Sequence, residues 1–319
     1  MKKVAKILII YTIVVSLIVG GLNAVYMRFM SVEEEIKKFQ NVPNHIKICN
    51  FGSSHGINSF NYDNVNQTCF NFALSAQYPI YDERVLEQYA NCIDDNATVY
   101  LVVSFFSFYG IPEEKRDIFE SKNKRYYQIL SKDKIIQYSL KTDICERYLP
   151  ILTADEKIFE NYFNNKTVSK DSSQSKKVEK DNQYFQNDAK KKYQHHMIED
   201  KLDEEGNRII NNAEIEAIYH MIEFCRSKNI RAIMVTTPYT QEYCQEIKKN
   251  DSQFLQEFYS LVNEISAQTN TQYLDYSADK RFRNNHALFI DSDHLNTQGA
   301  KQFTQILLHE TNVDYGESQ

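Results

Sequence analysis

The chain has 319 residues, 37 Lys and Arg against 43 Asp and Glu, a formal net charge of −6 and a pI near 5.8. That balance excludes a surface built to attract nucleic acid and neither requires nor forbids a glycan substrate. Six cysteines are too few to staple a domain of this size, so buried free thiols are the reading for Cys49, Cys69, Cys92 and Cys225, with a bridge between some pair left open by an extracytoplasmic setting.

Lys2, Lys3 and Lys6 precede an uncharged apolar run from Ile7 to Met27. At about 1.5 Å per residue a helix of that length crosses a hydrocarbon core of roughly 30 Å. The lysines before the run and the acidic Glu33, Glu34 and Glu35 beyond it put the N-terminus in the cytoplasm and the rest of the chain outside. A cleaved leader is the competing reading, but its apolar region should be shorter, and Leu22-Asn23-Ala24 is a poor cleavage site. No cysteine follows the run, which removes a lipoprotein anchor. The expected division is residues 1-30 as cytoplasmic stub and transmembrane anchor, and 31-319 as one elaborated extracytoplasmic α/β domain.

The first soluble strand is Ile46-Lys47-Ile48-Cys49-Asn50-Phe51, and it runs into Gly52-Ser53-Ser54-His55-Gly56. Serines there sit where an α/β sheet presents groups at a strand's carboxyl end. A short strand at Cys69 to Phe72 leads into Asn71-Phe72-Ala73-Leu74-Ser75-Ala76, and a helix is expected from about Asp82 to Ile93. The strand Val99 to Ser104 follows, ending in Phe105, Phe106, Ser107, Phe108 and Tyr109. That aromatic cluster reads as core, or as a sugar-stacking platform bordering the site.

From about 164 to 207 the alternation of strands and helices breaks. The segment is dense in Lys, Asp, Asn, Ser and Gln, and reads as a solvated, partly disordered insertion, with a lid or partner surface as the alternative. Within it His195-His196 is a poor metal pair, because further ligands at suitable spacing are missing. Helix, strand, helix and strand signals then follow at Ile209 to Arg226, Ile230 to Thr237, Phe254 to Ala267 and Thr271 to Asp275. The chain closes on Asp291-Ser292-Asp293-His294-Leu295-Asn296 and a helix from Thr297 to Glu310.

Ser54, His294 and Asp291 supply nucleophile, base and orienting acid. A serine hydroxyl is weak until a base accepts its proton, and a carboxylate holds that base in the right tautomer. Asp293, adjacent to His294, is the rival acid and is expected to face solvent; His286 is an alternative base, and His55 lines the pocket. The Gly52-x-Ser54-x-Gly56 pattern also matches the nucleophile elbow of α/β-hydrolases. Chain position argues against that, since the serine follows the first soluble strand and acid and base share one loop.

These blocks resemble the SGNH (GDSL-like) hydrolase superfamily. Gly52-Ser53-Ser54 stands at its Gly-Asp-Ser block, with Ser53 replacing the aspartate, and Asp291-x-x-His294 stands at its last block. Asn71 to Ala76 is similar to the second block, with Ala76 at the glycine position. The third block departs: Phe105-Phe106-Ser107-Phe108 offers no Asn amide. The resemblance implies a five-stranded parallel sheet of order 2-1-3-4-5 in a flavodoxin-like three-layer sandwich. It also implies an oxyanion hole from the N–H groups of Ser54 and Ala76, and neither cofactor nor metal; in place of the missing amide, the Ser107 hydroxyl is the expected third donor. The departures resemble the membrane-anchored branch, which includes the D-alanyl-lipoteichoic acid transfer protein and polysaccharide O-acetyltransferases. That branch implies acyl transfer to or from an envelope glycan or polymer, an acyl donor, and a membrane-bound O-acyltransferase partner. A catalytically weakened SGNH fold serving in glycan binding or assembly is the alternative.

Overall fold

The computed structural model describes residues 2–29, 34–112, 115, 119–152 and 181–314. In chain order its main elements are α1 (Lys2–Phe29), β1 (Ile46–Phe51), α2 (Ser54–Ser59), β2 (Cys69–Asn71), α3 (Pro79–Tyr89), β3 (Ile93–Val102) and α4 (Leu140–Tyr148). After them come α5 (Asn182–Tyr193), α6 (Asn212–Ser227), β4 (Arg231–Thr236), α7 (Gln241–Asn250), α8 (Ser252–Thr269), β5 (Gln272–Asp275) and α9 (Thr297–Glu310). They fall into two compact units, Met1–Asn41 with Asp117–Val178, and Val42–Arg116 with Glu179–Gln319.

In the first unit α1 is long and apolar enough to cross a membrane, with a 26-residue candidate span, Lys2–Met27, whose most apolar 18-residue stretch has a mean hydropathy of 2.3. The short helix α4 is N-capped by Ser139, whose hydroxyl accepts from Thr142 N–H at 3.3 Å.

The second unit is an α/β sandwich. Its five strands are all parallel, in the order β2-β1-β3-β4-β5. From Ala97 to Val103 every residue of and just beyond β3 is buried, without the alternation of a one-sided strand. Both faces of the sheet are therefore covered, as parallel sheets require. On one face Ile48, Tyr100, Val102, Ile233 and Val235 pack with Phe303, Leu307 and Leu308 of α9. Their neighbours Cys49, Val99, Leu101 and Met234 alternate to the other face, where α3, α6 and α8 lie.

The expected elements are present with shifted ends. Pro79 at the first turn starts α3 earlier than expected, and residues 90–92 form a 3₁₀ turn, so β3 begins at Ile93. Asp251 caps α8 by accepting from Phe254 N–H at 3.1 Å, and Asn270 ends it with φ +48°. The cysteines are free among the described residues.

The insertion needs correction. Residues 164–180 lie outside the described residues, and 203–207 are an exposed turn, but 181–198 are not a solvated loop. They form α5 and a π-helical turn, Gln194–Ile198. Phe185, Ala189 and Met197 are fully buried, and Asp181 caps the helix by accepting from Tyr184 N–H at 2.8 Å. Spacing of Phe185 and Ala189 by four residues gives α5 an apolar stripe that overall composition conceals.

Candidate active site

β1 ends at Gly52, whose φ of +133° is open to glycine alone at little cost. A Cβ there would stand 2.8 Å from the Val102 Cβ, so β1 and β3 approach closely only because residue 52 has none. The Gly52 N–H donates to Asp82 Oδ1 at 2.8 Å, and Gln77 Nε2 donates to the same oxygen at 2.6 Å. Ser53 then caps α2 through His55 N–H, which makes Ser54 its first residue. Two asparagines at the strand ends fix this corner. Asn50 Nδ2 donates to the Gly56 carbonyl at 3.1 Å and to Asn71 Oδ1 at 3.0 Å, and Asn71 Nδ2 also donates to the Gly56 carbonyl.

The closing loop brings its carboxylates and imidazole to the same place. His294 Nε2 is 2.8 Å from Ser54 Oγ, and His294 Nδ1 is 3.0 Å from each oxygen of Asp291. Asp291 Oδ1 also accepts from His294 N–H at 2.9 Å and Asp293 N–H at 3.2 Å, so the acid is tied to its own loop. With Nδ1–H directed to Asp291, Nε2 is left to accept from Ser54. The three residues are partly exposed, as a site open to substrate requires.

Behind this triad lies a second histidine–carboxylate pair. His55 Nε2 is 2.9 Å from Asp293 Oδ2, and His55 Nδ1 is 2.6 Å from Ser104 Oγ. Both side chains are fully buried. Asp293 therefore does not face solvent as expected; it turns inward, its Oδ1 also lying 3.3 Å from His294 Nδ1. Burial pushes the His55 imidazole down, and the opposing hydrogen bond to Asp293 does not reverse this. The ring is neutral, donating from Nε2 and accepting the Ser104 hydroxyl at Nδ1.

Lys192, on α5, joins the two pairs. Its Nζ lies 2.8 Å from Asp293 Oδ1 and 3.2 Å from Asp291 Oδ2. Burial alone would favour the neutral amine, but the two carboxylates outweigh it and hold the lysine above its ordinary range. Burial likewise opposes ionisation of Asp293, yet His294, the His55 hydrogen bond and His196 hold its carboxyl well below the usual range. His55 and His196 are themselves pushed down by burial, whereas the Lys192 ammonium, 2.8 Å from Asp293, keeps its charge against burial. Lys192 Nζ is also 3.3 Å from His294 Nδ1. Both atoms are donors once Nδ1 carries its proton, so shared carboxylates hold them together.

Asp188, one turn earlier on α5, accepts from Ser292 N–H at 2.8 Å and Ser292 Oγ at 2.6 Å. His55, Asp293 and His294, and Asp188, Asp291 and Asp293, each gather donor atoms closely enough for a metal ion. The Lys192 ammonium already supplies the positive charge between Asp291 and Asp293, and each histidine nitrogen that faces a carboxylate acts as donor, so the arrangement suits proton transfer.

Other expected residues fall elsewhere. His286 pairs with Glu242 at 3.0 Å and stacks on Phe185, its ring centroid 3.9 Å away. His195 is exposed beside Glu199, while His196 is buried, bonded to the Tyr243 hydroxyl at 3.0 Å and packed against Phe106 at 4.4 Å. Phe105, Phe108 and Tyr109 are core, which leaves no exposed stacking platform among them. The Ser107 Oγ accepts from Ser104 N–H at 2.8 Å, closing the turn beyond β3. Ala76 has φ +50°, the left-handed region where glycine is favoured.

A cavity of about 390 Å³ lined by Asn96, Arg226, Arg231 and Asn270 lies at the amino ends of β3, β4 and β5, the opposite end of the sheet from Ser54. Ligands of open parallel sheets bind at carboxyl ends, so chemistry and not volume locates the candidate site.

No family model matches the chain, and no curated protein does. Solved structures similar to it include an acetylxylan esterase from Geobacillus stearothermophilus, at 10% identity and TM-score 0.41, covering 87% of this chain and 99% of that one. A proposed acylhydrolase from Bacteroides fragilis is similar at 10% identity and TM-score 0.39, covering 88% and 94%. A proposed GDSL-like lipase from Parabacteroides merdae is similar at 11% identity and TM-score 0.40, covering 86% and 99%. Likeness at this level carries no argument about activity. The α/β class itself stands on the five parallel strands, their order and the helices on both faces.

Proposed function

We propose that the chain is a membrane-anchored, SGNH-type serine enzyme that moves acyl groups on a cell-envelope glycan or polymer through an acyl-serine intermediate. The observation that carries this reading is the continuous line from Ser54 Oγ through His294, 2.8 Å away, to Asp291 at 3.0 Å. In the first step His294 Nε2 takes the Ser54 proton as Oγ attacks the acyl carbonyl. The resulting oxyanion is received by the N–H groups of Ser54 and Ala76 and by the Ser107 hydroxyl. The imidazolium, stabilised by Asp291, returns its proton to the departing oxygen. A second acceptor then gives its proton to His294 and takes the acyl group from Ser54, whose Oγ leaves with that proton returned by His294. Water makes the protein an esterase, and a glycan hydroxyl makes it an O-acyltransferase. A multi-span O-acyltransferase would supply acyl groups across the bilayer, and tethering through α1 keeps donor and acceptor at high effective concentration.

One observation favours the weaker alternative, a glycan-binding or assembly role. The turn beyond β3 presents buried Phe105 and Phe106 and no asparagine. Loss of one oxyanion donor costs about 10² to 10³ in rate. The two readings separate on a single experiment. Full-length protein in detergent is mixed with p-nitrophenyl acetate, quenched in acid and weighed intact. Acetyl-Ser54, formed with a stoichiometric nitrophenol burst and shortened in lifetime by added envelope polysaccharide, supports transfer. An unmodified protein with no burst rejects the enzymatic reading.

A further inference from the structure

The helix α4 is amphipathic in the unusual sense. Two of its charged residues are turned into its own unit: Arg147 donates to Asp143 and to the Leu130 carbonyl, and Asp143 accepts from the Tyr138 hydroxyl. Its large apolar side chains point outward. Leu140, Ile144 and Tyr148 are 63%, 45% and 66% exposed, and Leu152 beyond the helix end is 58% exposed. A spacing of four residues drifts by only about 40° per step, so the three helical positions share one face. Outward apolar groups over inward, satisfied charges are the reverse of a helix built for water.

Continuity with α1 identifies what covers this face. Asn23, near the outer end of the apolar run, is 7% exposed and reaches into the end of α4. Its Nδ2 donates to the Tyr148 carbonyl at 2.7 Å, and its Oδ1 accepts from Ile151 N–H at 3.2 Å. The Tyr148 carbonyl is one of those that a helix end leaves without an intrahelical partner. Ile7 to Asn23 at about 1.5 Å per residue covers about 25 Å of a hydrocarbon core roughly 30 Å thick, so the Asn23 contact holds Tyr148 near the outer boundary of the bilayer. A tyrosine is suited to that depth, with its ring among acyl chains and its hydroxyl among headgroups. Lys141 is exposed at the rim, where an ammonium remains in the headgroup layer.

We infer that the face formed by Leu140, Ile144, Tyr148 and Leu152 is a second membrane contact, seated in the outer interfacial layer beside the outer end of α1. The inference rests on α1 crossing the membrane. The anchor is then a two-point attachment, and the unit that carries it lies on the lipid surface.

The chain contains no tryptophan, so single replacements report without background. Full-length Tyr148→Trp and Leu17→Trp are reconstituted separately into phosphatidylcholine vesicles whose acyl chains carry bromine either near the headgroup or near the chain end. The expected result is at least twofold quenching of Tyr148→Trp by the shallow label and less by the deep one, with Leu17→Trp, at the middle of the apolar run, quenched by the deep label. Quenching of Leu17→Trp without any at Tyr148→Trp overturns the inference and leaves the membrane span standing; the face then meets water or a protein partner. Absence of quenching at both positions rejects the span, and the second contact with it.

Discussion

The Lys192 ammonium lies 2.8 Å from the carboxylate of Asp293, a residue whose side chain is fully buried, and 3.2 Å from that of Asp291. A helix from the inserted segment thereby supplies the counter-charge for both acids of the closing loop. Without it two carboxylates would share one small volume beside His294, and like charges at such range disfavour joint ionisation.

Lys192→Met should therefore lower kcat/KM by roughly 10- to 100-fold, the range expected for loss of a supporting partner of a reactive side chain. With both acids left un-neutralised beside the base, the acid limb of the pH–rate profile should move to higher pH. Lys192→Arg, which keeps the charge, should restore most of both. A profile unchanged in Lys192→Met would reduce the lysine to a packing residue.

Asp291 and Asp293 should separate under amidation. Asp291→Asn presents the wrong hydrogen-bonding group to His294 Nδ1 and should cost about 10³- to 10⁴-fold in kcat with little loss of stability. Asp293→Asn leaves Lys192 beside a neutral group and removes the acceptor of His55 Nε2–H. Stability should fall by about 3 kcal/mol, since breaking a buried ion pair strands its partner. Melting temperatures and single-turnover rates of both variants decide; equal effects on both quantities would contradict the division of roles.

Stability should fall in acid. Burial pushes His55 and His196 below the ordinary value of 6.5, so the unfolded chain binds their protons more readily than the folded one. Their contribution is present above about pH 6.5 and is lost as pH falls below it. Asp82 acts with the opposite sign. Burial raises its carboxyl from the ordinary 3.8 to about 7, against the hydrogen bonds from Gln77 and Gly52. Its contribution is present below its unfolded value and is lost as pH rises towards 7. Asp82→Asn, which keeps an acceptor for Gly52 N–H, should thus gain stability relative to the parent between about pH 4 and pH 7 and hold a constant difference above. Melting curves followed by circular dichroism check this, and parallel pH profiles would contradict it.

Gly52→Ala should destabilise by roughly 2 to 4 kcal/mol. It combines a strained positive φ with a methyl group 2.8 Å from the Val102 Cβ. Chemical denaturation measures it, and a loss below about 1 kcal/mol would mean that β1 and β3 part easily there.

The centre of the sheet was legible because β3 and β4, buried on both faces, carry apolar runs, whereas the edge strands β2 and β5 are short and half-buried and were placed by the helical periods around them. That Ser54, Asp291 and His294 lie together was readable because the two blocks that carry them, at opposite chain ends, resemble one template. Asp293 was misjudged for a geometric reason. Adjacent residues point apart along an extended loop, so next to a site-facing His294 it was placed outside, whereas the fold has a second partner, His55, waiting on the inner side. Lys192 and Asp188 carried no motif. Their signal was the four-residue spacing of Tyr184, Asp188 and Lys192 beside the buried pair Phe185 and Ala189, which a charge-rich composition obscured. Ser104 and Asn50 were hidden inside strand signals, because a hydroxyl or amide at a strand end reveals its partner only after the chain has folded.

Labelling with a fluorophosphonate tests the central claim most directly. The full chain in detergent, together with Ser54→Ala and His294→Ala, is treated and weighed intact. The account predicts one label per chain in the parent and none in either variant, with the labelled peptide containing Ser54. A folded parent that takes up no label, or a Ser54→Ala variant that labels as the parent does, would contradict it.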